Sequence, residues 1–373
     1  MTSLVMRLRR TRLRNTRLTT DYSHDLALWR SRPAQAGVLL VALALAAAPF
    51  VVGNYWTTVL IYGGIASVGA IGLNLLTGFT GQVSLGHAFF LGVGAYGTAV
   101  LGGRWDLPFP VWLVGASALG GFLGGLVGPF ALRLRGNYLV IVSLGLVFVG
   151  QNVFENWQSV TGGLTGIAVS APVAIGPVDA ASLSLFGQRL TRNQGYYLVV
   201  WLAVLVLGLA AKNLARTRPG RALQAIRDRD LAAEVIGVSL VQYKVGAFVV
   251  SSAYAACAGA LYASYARYVS PLDFTLFLSI QYIAMIVVGG VGSILGSVLG
   301  ALFLTALPRL VESASSSLPF VSQGGGEQGI TVFTLNQALF GLLIIGFLLF
   351  EPLGLIEIWR RIKRYFLAWP FSY

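Results

Sequence analysis

Lys212 to Lys244 reads KNLARTRPGRALQAIRDRDLAAEVIGVSLVQYK, a polar segment bracketed by long apolar runs in a chain that is 56% hydrophobic and only 10% charged. It holds 7 of the 26 basic residues and 3 of the 13 acidic ones. Such a segment cannot lie in hydrocarbon, where unpaired backbone and charged groups are costly, so it forms a structured loop outside the bilayer. Its pattern reads helix, turn, helix. Pro219 suits a first helical position, where its missing N–H would be unpaired anyway. Ala222, Leu223, Ala225 and Ile226 follow as an apolar stripe at helical spacing, with Arg221, Gln224, Arg227 and Asp228 on the other faces. Asp230 is placed to cap a second short helix running from Leu231 to Val235, which Gly237 can end in the left-handed conformation. The product is a small, charged, amphipathic knob tied to two spans.

Working outward, the 373-residue chain concentrates its charge between long apolar runs, which predicts an all-α polytopic membrane protein. A span needs about 20 apolar residues to cross about 30 Å of hydrocarbon, and shorter ones are tolerated in a bundle. About ten transmembrane helices are expected on that rule, at 37–53, 56–76, 88–103, 109–131, 137–153, 195–211, 244–264, 273–291, 296–311 and 336–350. Cytoplasmic loops collect Lys and Arg. With both termini inside, the inside segments hold 21 basic residues and the outside segments five, Arg104, Arg189, Arg192, Arg267 and Arg309. That asymmetry places the central loop in the cytoplasm. Three regions are expected: a basic, disordered cytoplasmic tail at 1–36, a transmembrane domain at 37–352 with its loop at 212–243, and a second basic cytoplasmic tail at 353–373. The run Ala46-Ala47-Ala48 resembles a signal-peptidase site, but the basic region before it is too long for a signal peptide, so the first span is read as uncleaved.

Composition and motifs exclude several chemistries. The net charge of +13 is divided among separate loops without an aromatic-interleaved basic patch, so it points to the membrane rather than to nucleic acid. The three lysines, Lys212, Lys244 and Lys363, follow Ala211, Tyr243 and Ile362, whereas a phosphate-cradling P-loop needs Gly before Lys. The acidic residues fall in tails, loops or span ends, which weighs against proton coupling inside the bundle. Two histidines, His24 and His87, and the lone Cys257 make no metal cluster, and no nucleophile has a base beside it. No enzyme and no cofactor is expected. Gly120, Gly124 and Gly128, and likewise Gly292, Gly296 and Gly300, recur at four-residue spacing as small faces for close helix approach. The segments 154–194 and 312–335 are long outside loops. One polar stretch remains near the membrane, Gly78-Phe79-Thr80-Gly81-Gln82-Val83-Ser84-Leu85-Gly86-His87. Irregular backbone at membrane depth must be buried in protein or line a cavity, so this stretch is either a cytoplasmic-side turn or part of a translocation path through Gly81, Gln82, Ser84, Gly86 and His87.

Several motifs occur together: LNLLTGFTGQVSLGHAFFLGVGAY (Leu73 to Tyr96), LRLRGNYLVIVSLG (Leu132 to Gly145), TGGLTGI (Thr161 to Ile167), Pro219 to Ala263, GGVGSILGSVLGA (Gly289 to Ala301) and EPLGLIEIWRRIKRYF (Glu351 to Phe366). In these, nearly everything after residue 55 resembles the membrane permease subunits of bacterial binding-protein-dependent ABC importers for branched-chain amino acids, of the LivM type. The resemblance implies a multi-pass protein of the inner membrane, a second permease subunit in a heterodimer, two cytoplasmic ATP-binding subunits and an extracytoplasmic substrate-binding protein. It also implies an ATPase-coupling segment comprising Pro219, Gly220, Arg221, Ala222, Leu223, Ala225, Ile226, Arg227, Asp228, Glu234 and Gly237. Many ABC importers carry E-A-A followed by Gly here, whereas this chain has Ala232-Ala233-Glu234 before Gly237. Urea and short-amide importers use similar subunits. A reading of another class is a self-sufficient secondary transporter, which would need ion-coupling groups inside the bundle and no cytoplasmic docking helix.

Overall fold

A computed structural model of the chain describes residues 44–132, 138–175, 178–179, 184–185, 188–315, 321–322, 330–351 and 353–368. The chain divides into two units, Met1–Ala48 and Pro49–Tyr373. The basic tail expected at 1–36, and residues 37–43 of the span expected at 37–53, lie outside the described residues, while 44–51 of that span are helical. The second unit is helical: α1 Asn54–Thr80, α2 His87–Thr98, α3 Phe109–Leu132, α4 Tyr138–Asn156, α5 Arg192–Arg216, α6 Arg218–Asp228, α7 Asp230–Val235, α8 Leu240–Ala266, α9 Leu276–Gly289, α10 Ile294–Ser315, α11 Val332–Phe350 and α12 Leu355–Ala368.

Among the described residues, six helices are long and apolar enough to cross a membrane, namely α1, α3, α4, α5, α8 and α10. Two shorter apolar stretches join them, Leu276–Gly289 and Gln337–Phe347. The span expected at 88–103 is α2 continued by a π-helix, Ala99–Arg104. The span expected at 273–291 is shortened to α9. Ser270 and Asp273 cap a separate 3-10 turn ahead of it, and Gly290 breaks the helix behind it with φ 123°.

A helix that is apolar all round belongs inside, and α1 is that helix: 89% of its most apolar window is buried, against 17% for α5. α1 packs against α5, α8, α9 and α10, and α8 packs against α3 and α2. Small residues permit these approaches. A Cβ on Gly120 would meet the Ser252 carbonyl at 2.8 Å, and one on Gly124 would meet the Ser252 side chain at 2.5 Å, so the spaced glycines of α3 form its seam with α8. Gly296 and Gly300 likewise face Gly289 across the α9–α10 turn. Gly292 departs from the expected pattern. It lies before α10 in the turn itself, with φ +82°, because the chain must reverse there.

The 27 residues of α1 span about 40 Å at 1.5 Å per residue, so its ends mark opposite ends of the bundle. At the first, Asn193 donates to the Asn54 side chain at 2.8 Å, and the Arg192 guanidinium donates to the Tyr265 carbonyl at 2.8 Å. The described part of the 154–194 segment gathers at the same end. Its strand β1, Ile167–Ala168, pairs antiparallel with β2, Tyr268–Val269, directly after α8, and the Tyr268 hydroxyl donates to the Thr165 carbonyl. At the other end of α1 lie α6, the α9–α10 turn and the start of α12.

Candidate functional site

The knob forms as a continuation of α5. Thr217 ends α5 and starts α6, its N–H donating to the Asn213 and Leu214 carbonyls at 3.2 and 3.1 Å. Gly220 fits against the Leu214 and Ala215 carbonyls so closely that a Cβ would strike both, which is why the reversal needs glycine there. The last carbonyls of a helix have no partner within it, and α6 supplies two. Arg221 donates to the Arg216 carbonyl at 2.9 Å and Gln224 to that of Ala215 at 3.5 Å. Pro219 falls within the first two positions of α6, as its chemistry requires. Asp230 is the first residue of α7 and Arg229 its N-cap, one residue from the expected register. The Asp230 carboxylate accepts the Leu231 N–H at 2.8 Å and lies 4.0 Å from the Lys244 ammonium. Gly237 has φ +90° and stops the segment in the left-handed conformation, as expected.

The apolar stripe read from the sequence divides between buried and half-buried residues. Leu223 and Ile226 are 5% and 3% exposed, turned into the chain's own bundle, where α6 packs on α1, α5 and α8. Ala222 and Ala225 are half-buried. The apolar surface that this segment presents outward lies on α7 and just beyond it, with Leu231, Val235 and Ile236 73%, 88% and 75% exposed. Sequence reasoning gave these three no role beyond helix formation, although their i, i+4, i+5 spacing was a legible signal. Asp228 and Glu234 are also exposed.

Arg227 joins the two sequence-derived candidate regions. Its guanidinium donates to the Gly78 carbonyl at 2.7 Å, among the last carbonyls of α1. A Cβ on Gly81 would lie 3.7 Å from the Arg227 Cγ, and one on Gly292 would lie 2.7 Å from its Nη1. Gly292 is held in turn by Asn74, whose Oδ1 accepts the Gly292 N–H at 2.8 Å. The Asn74 amide donates to the Ser293 carbonyl at 2.9 Å and the Ser297 hydroxyl at 2.7 Å. Asn74 is fully buried, and three hydrogen bonds satisfy it, so α1, the α9–α10 turn and the knob meet at one polar node.

From this node the chain turns back into the bundle. Gly81 is exposed, Gln82 half-buried, and Ser84, Gly86 and His87 are buried. The Leu85 N–H donates to the Ser143 hydroxyl and the Ala88 N–H to the Ser279 hydroxyl, both at 2.9 Å. His87 stacks obliquely on Tyr282 at 4.9 Å, and Tyr282 also abuts Gly69 of α1. The stretch is therefore irregular backbone that re-enters to the depth of Gly69 rather than a plain turn at the surface. A separate cleft of about 380 Å³ opens toward the far end, walled by Tyr55, Tyr62, Tyr262, Gln281, Tyr282 and Arg309 among others. Tyr62, Tyr262 and Tyr282 stand in runs read from the sequence only as spans, and Tyr55 lies just before one, so the sequence analysis did not single them out.

The family described as branched-chain amino acid transport system / permease component matches residues 55–349. Over 287 residues the chain is 32% identical to the high-affinity branched-chain amino acid transport system permease protein LivM of Salmonella typhimurium, covering 73% of this chain and 68% of that protein. LivM of Escherichia coli is 32% identical over 288 residues with the same coverage. The autoinducer 2 import system permease protein LsrC of Enterobacter sp. is 30% identical over 243 residues, 62% of this chain and 63% of that protein. No solved structure matches the chain.

Proposed function

The chain belongs to the branched-chain amino acid transport system permease component family, ABC transporter permeases of the inner membrane, and on that premise we propose that it translocates branched-chain amino acids using ATP hydrolysed by partner subunits. The partners in this reading are a second permease, two cytoplasmic ATP-binding subunits and an extracytoplasmic binding protein. The segment 212–243 is cytoplasmic, and both termini lie on its side. The printed names of the relatives cover two cargoes, amino acids and autoinducer 2. The LivM proteins match over more of the chain than LsrC does, which favours the amino-acid reading over an autoinducer 2 one.

The observation that carries the coupling role is the exposed cluster Leu231, Val235 and Ile236 on a segment bonded through Arg227 to the end of α1. Burying each such side chain against a partner contributes about 1.5–3 kcal/mol, so the cluster has reason to dock. Pro219, Ala222, Ala225, Asp228 and Glu234 border that contact, while Gly220, Arg221, Leu223, Ile226, Arg227 and Gly237 shape and anchor the segment. Gly81, Gln82, Ser84, Gly86 and His87 form the part of the path nearest the loop. His87 Nε2 is buried with no hydrogen-bond partner among the described residues. The tyrosine-walled cleft forms the outer part. The test is co-purification of the ATP-binding subunits and substrate-stimulated ATPase activity in the reconstituted importer. Leu231→Asp and Val235→Asp should abolish both, and Ala225→Asp should weaken them. Wild-type values for Leu231→Asp and Val235→Asp, with the chain correctly inserted, would overturn the docking role. ATP-independent uptake by the chain alone would favour a secondary transporter.

A further inference from the structure

α12 follows the last apolar helix after Glu351 to Gly354 and reads LIEIWRRIKRYFLA. Its start is fastened to the bundle. Gly354 adopts φ +73° and approaches Gly290 so closely that a Cβ would lie 2.6 Å from the Gly290 nitrogen, while Ile356 is buried against Gly290. The Arg361 guanidinium reaches back to the Glu351 carboxylate at 3.1 Å. Gly290 belongs to the turn that Asn74 holds and that Arg227 adjoins. α12 therefore begins at the coupling-loop end of the bundle, where α11 leaves the hydrocarbon.

Beyond this anchor the helix turns apolar bulk outward. Trp359 and Ile362, three residues apart and so on one face, are 58% and 45% exposed, and Leu353 before the helix is 62% exposed. The helix carries Arg360, Arg361, Lys363 and Arg364 against the single acid Glu357. An aromatic and aliphatic face beside a basic one, at the level where a span ends, is the composition of a helix that lies in the bilayer interface. Charge distinguishes this surface from α7, which carries Asp230 and Glu234 and no basic residue of its own. We propose that α12 lies in the headgroup layer on the coupling-loop side, with Trp359 and Ile362 inserted and its basic residues bound to anionic lipid headgroups. This surface would tie the α9–α10 turn, and with it the polar node under the knob, to the charge of the membrane.

The test uses the full chain in nanodiscs of phosphatidylcholine with or without phosphatidylglycerol. In a Cys257→Ala background, which removes the chain's lone and buried cysteine, Ile362→Cys and separately Trp359→Cys carry an environment-sensitive fluorophore, read by quenching from shallow brominated lipid. Quenching at both positions, stronger with phosphatidylglycerol, is expected. The double variant Arg360→Gln/Lys363→Gln spares the Arg361–Glu351 pair, removes the 3.7 Å contact of Arg360 with Glu357, and should lower the surface-bound to unbound ratio about 25-fold in anionic discs, at about fivefold per charge, with little effect in neutral ones. Absence of quenching at both positions would overturn the proposal. So would quenching indifferent to phosphatidylglycerol and to the double variant, or loss of quenching when ATP-binding subunits are added, which would give the surface to a protein partner. Neither partner nor ATP is needed for the primary measurement, so its failure leaves the docking role of α7 untouched.

Discussion

Replacing Arg227 tests whether the knob is mechanically joined to the central helix. In Arg227→Gln the side chain loses its charge and its reach to the Gly78 carbonyl, now 2.7 Å away. A hydrogen bond from a charged donor contributes about 1.5–3 kcal/mol. The carbonyl lies at the negative end of α1, where a cation gains about 0.3–1 kcal/mol more at an exposed site. These two contributions overlap, and the bond is only part-buried, so the lower figure of about 1.5 kcal/mol is the appropriate one. That is about tenfold in the equilibrium between an anchored and a released segment. Leu223 and Ile226 still hold α6 on the bundle, so the segment should loosen rather than unfold. Amide hydrogen exchange across Gly220–Asp228 should accelerate about tenfold, and substrate moved per ATP hydrolysed should fall several-fold in the reconstituted importer. Arg227→Lys keeps the charge without the planar fork and should fall between. Unchanged exchange and unchanged transport per ATP in Arg227→Gln, at normal membrane insertion, would refute the reasoning.

Two further outcomes follow from packing and topology. Gly124→Ala places a methyl 2.5 Å from the Ser252 hydroxyl and should destabilise the α3–α8 seam by about 1–3 kcal/mol. Gly145→Ala, where a Cβ meets nothing within 4 Å, should be neutral or stabilising by up to about 1 kcal/mol; thermal unfolding in detergent compares the two. A cysteine at Ser159, an exposed position at the end away from the knob, should react with an impermeant thiol reagent added outside intact cells, and a cysteine at Glu234 should not. The reverse pattern would invert the proposed orientation.

Much of the fold and part of the site were legible from residue order alone, because the bilayer imposes a one-dimensional rule. A stretch such as 56–76 has to span and a stretch such as 212–243 has to stay out, whatever their neighbours. Local chemistry likewise determined the helix-turn-helix of the knob, since the start beside Pro219, the stop at Gly237 and the spacing of Leu223 and Ile226 are each set within a few residues. The grouped glycines of α3 announced a close contact, although not that α8 would make it. Tertiary structure alone decided which surfaces the knob keeps and which it presents. An apolar stripe on a short helix must be covered, but periodicity does not say by what. Here α1, α5 and α8 cover Leu223 and Ile226, leaving Leu231, Val235 and Ile236 outward. The Arg227–Gly78 bond joins residues 149 positions apart, and Asn74 meets Gly292 across 218. No local pattern encodes such pairings, because they depend on which helix ends converge once the spans have packed.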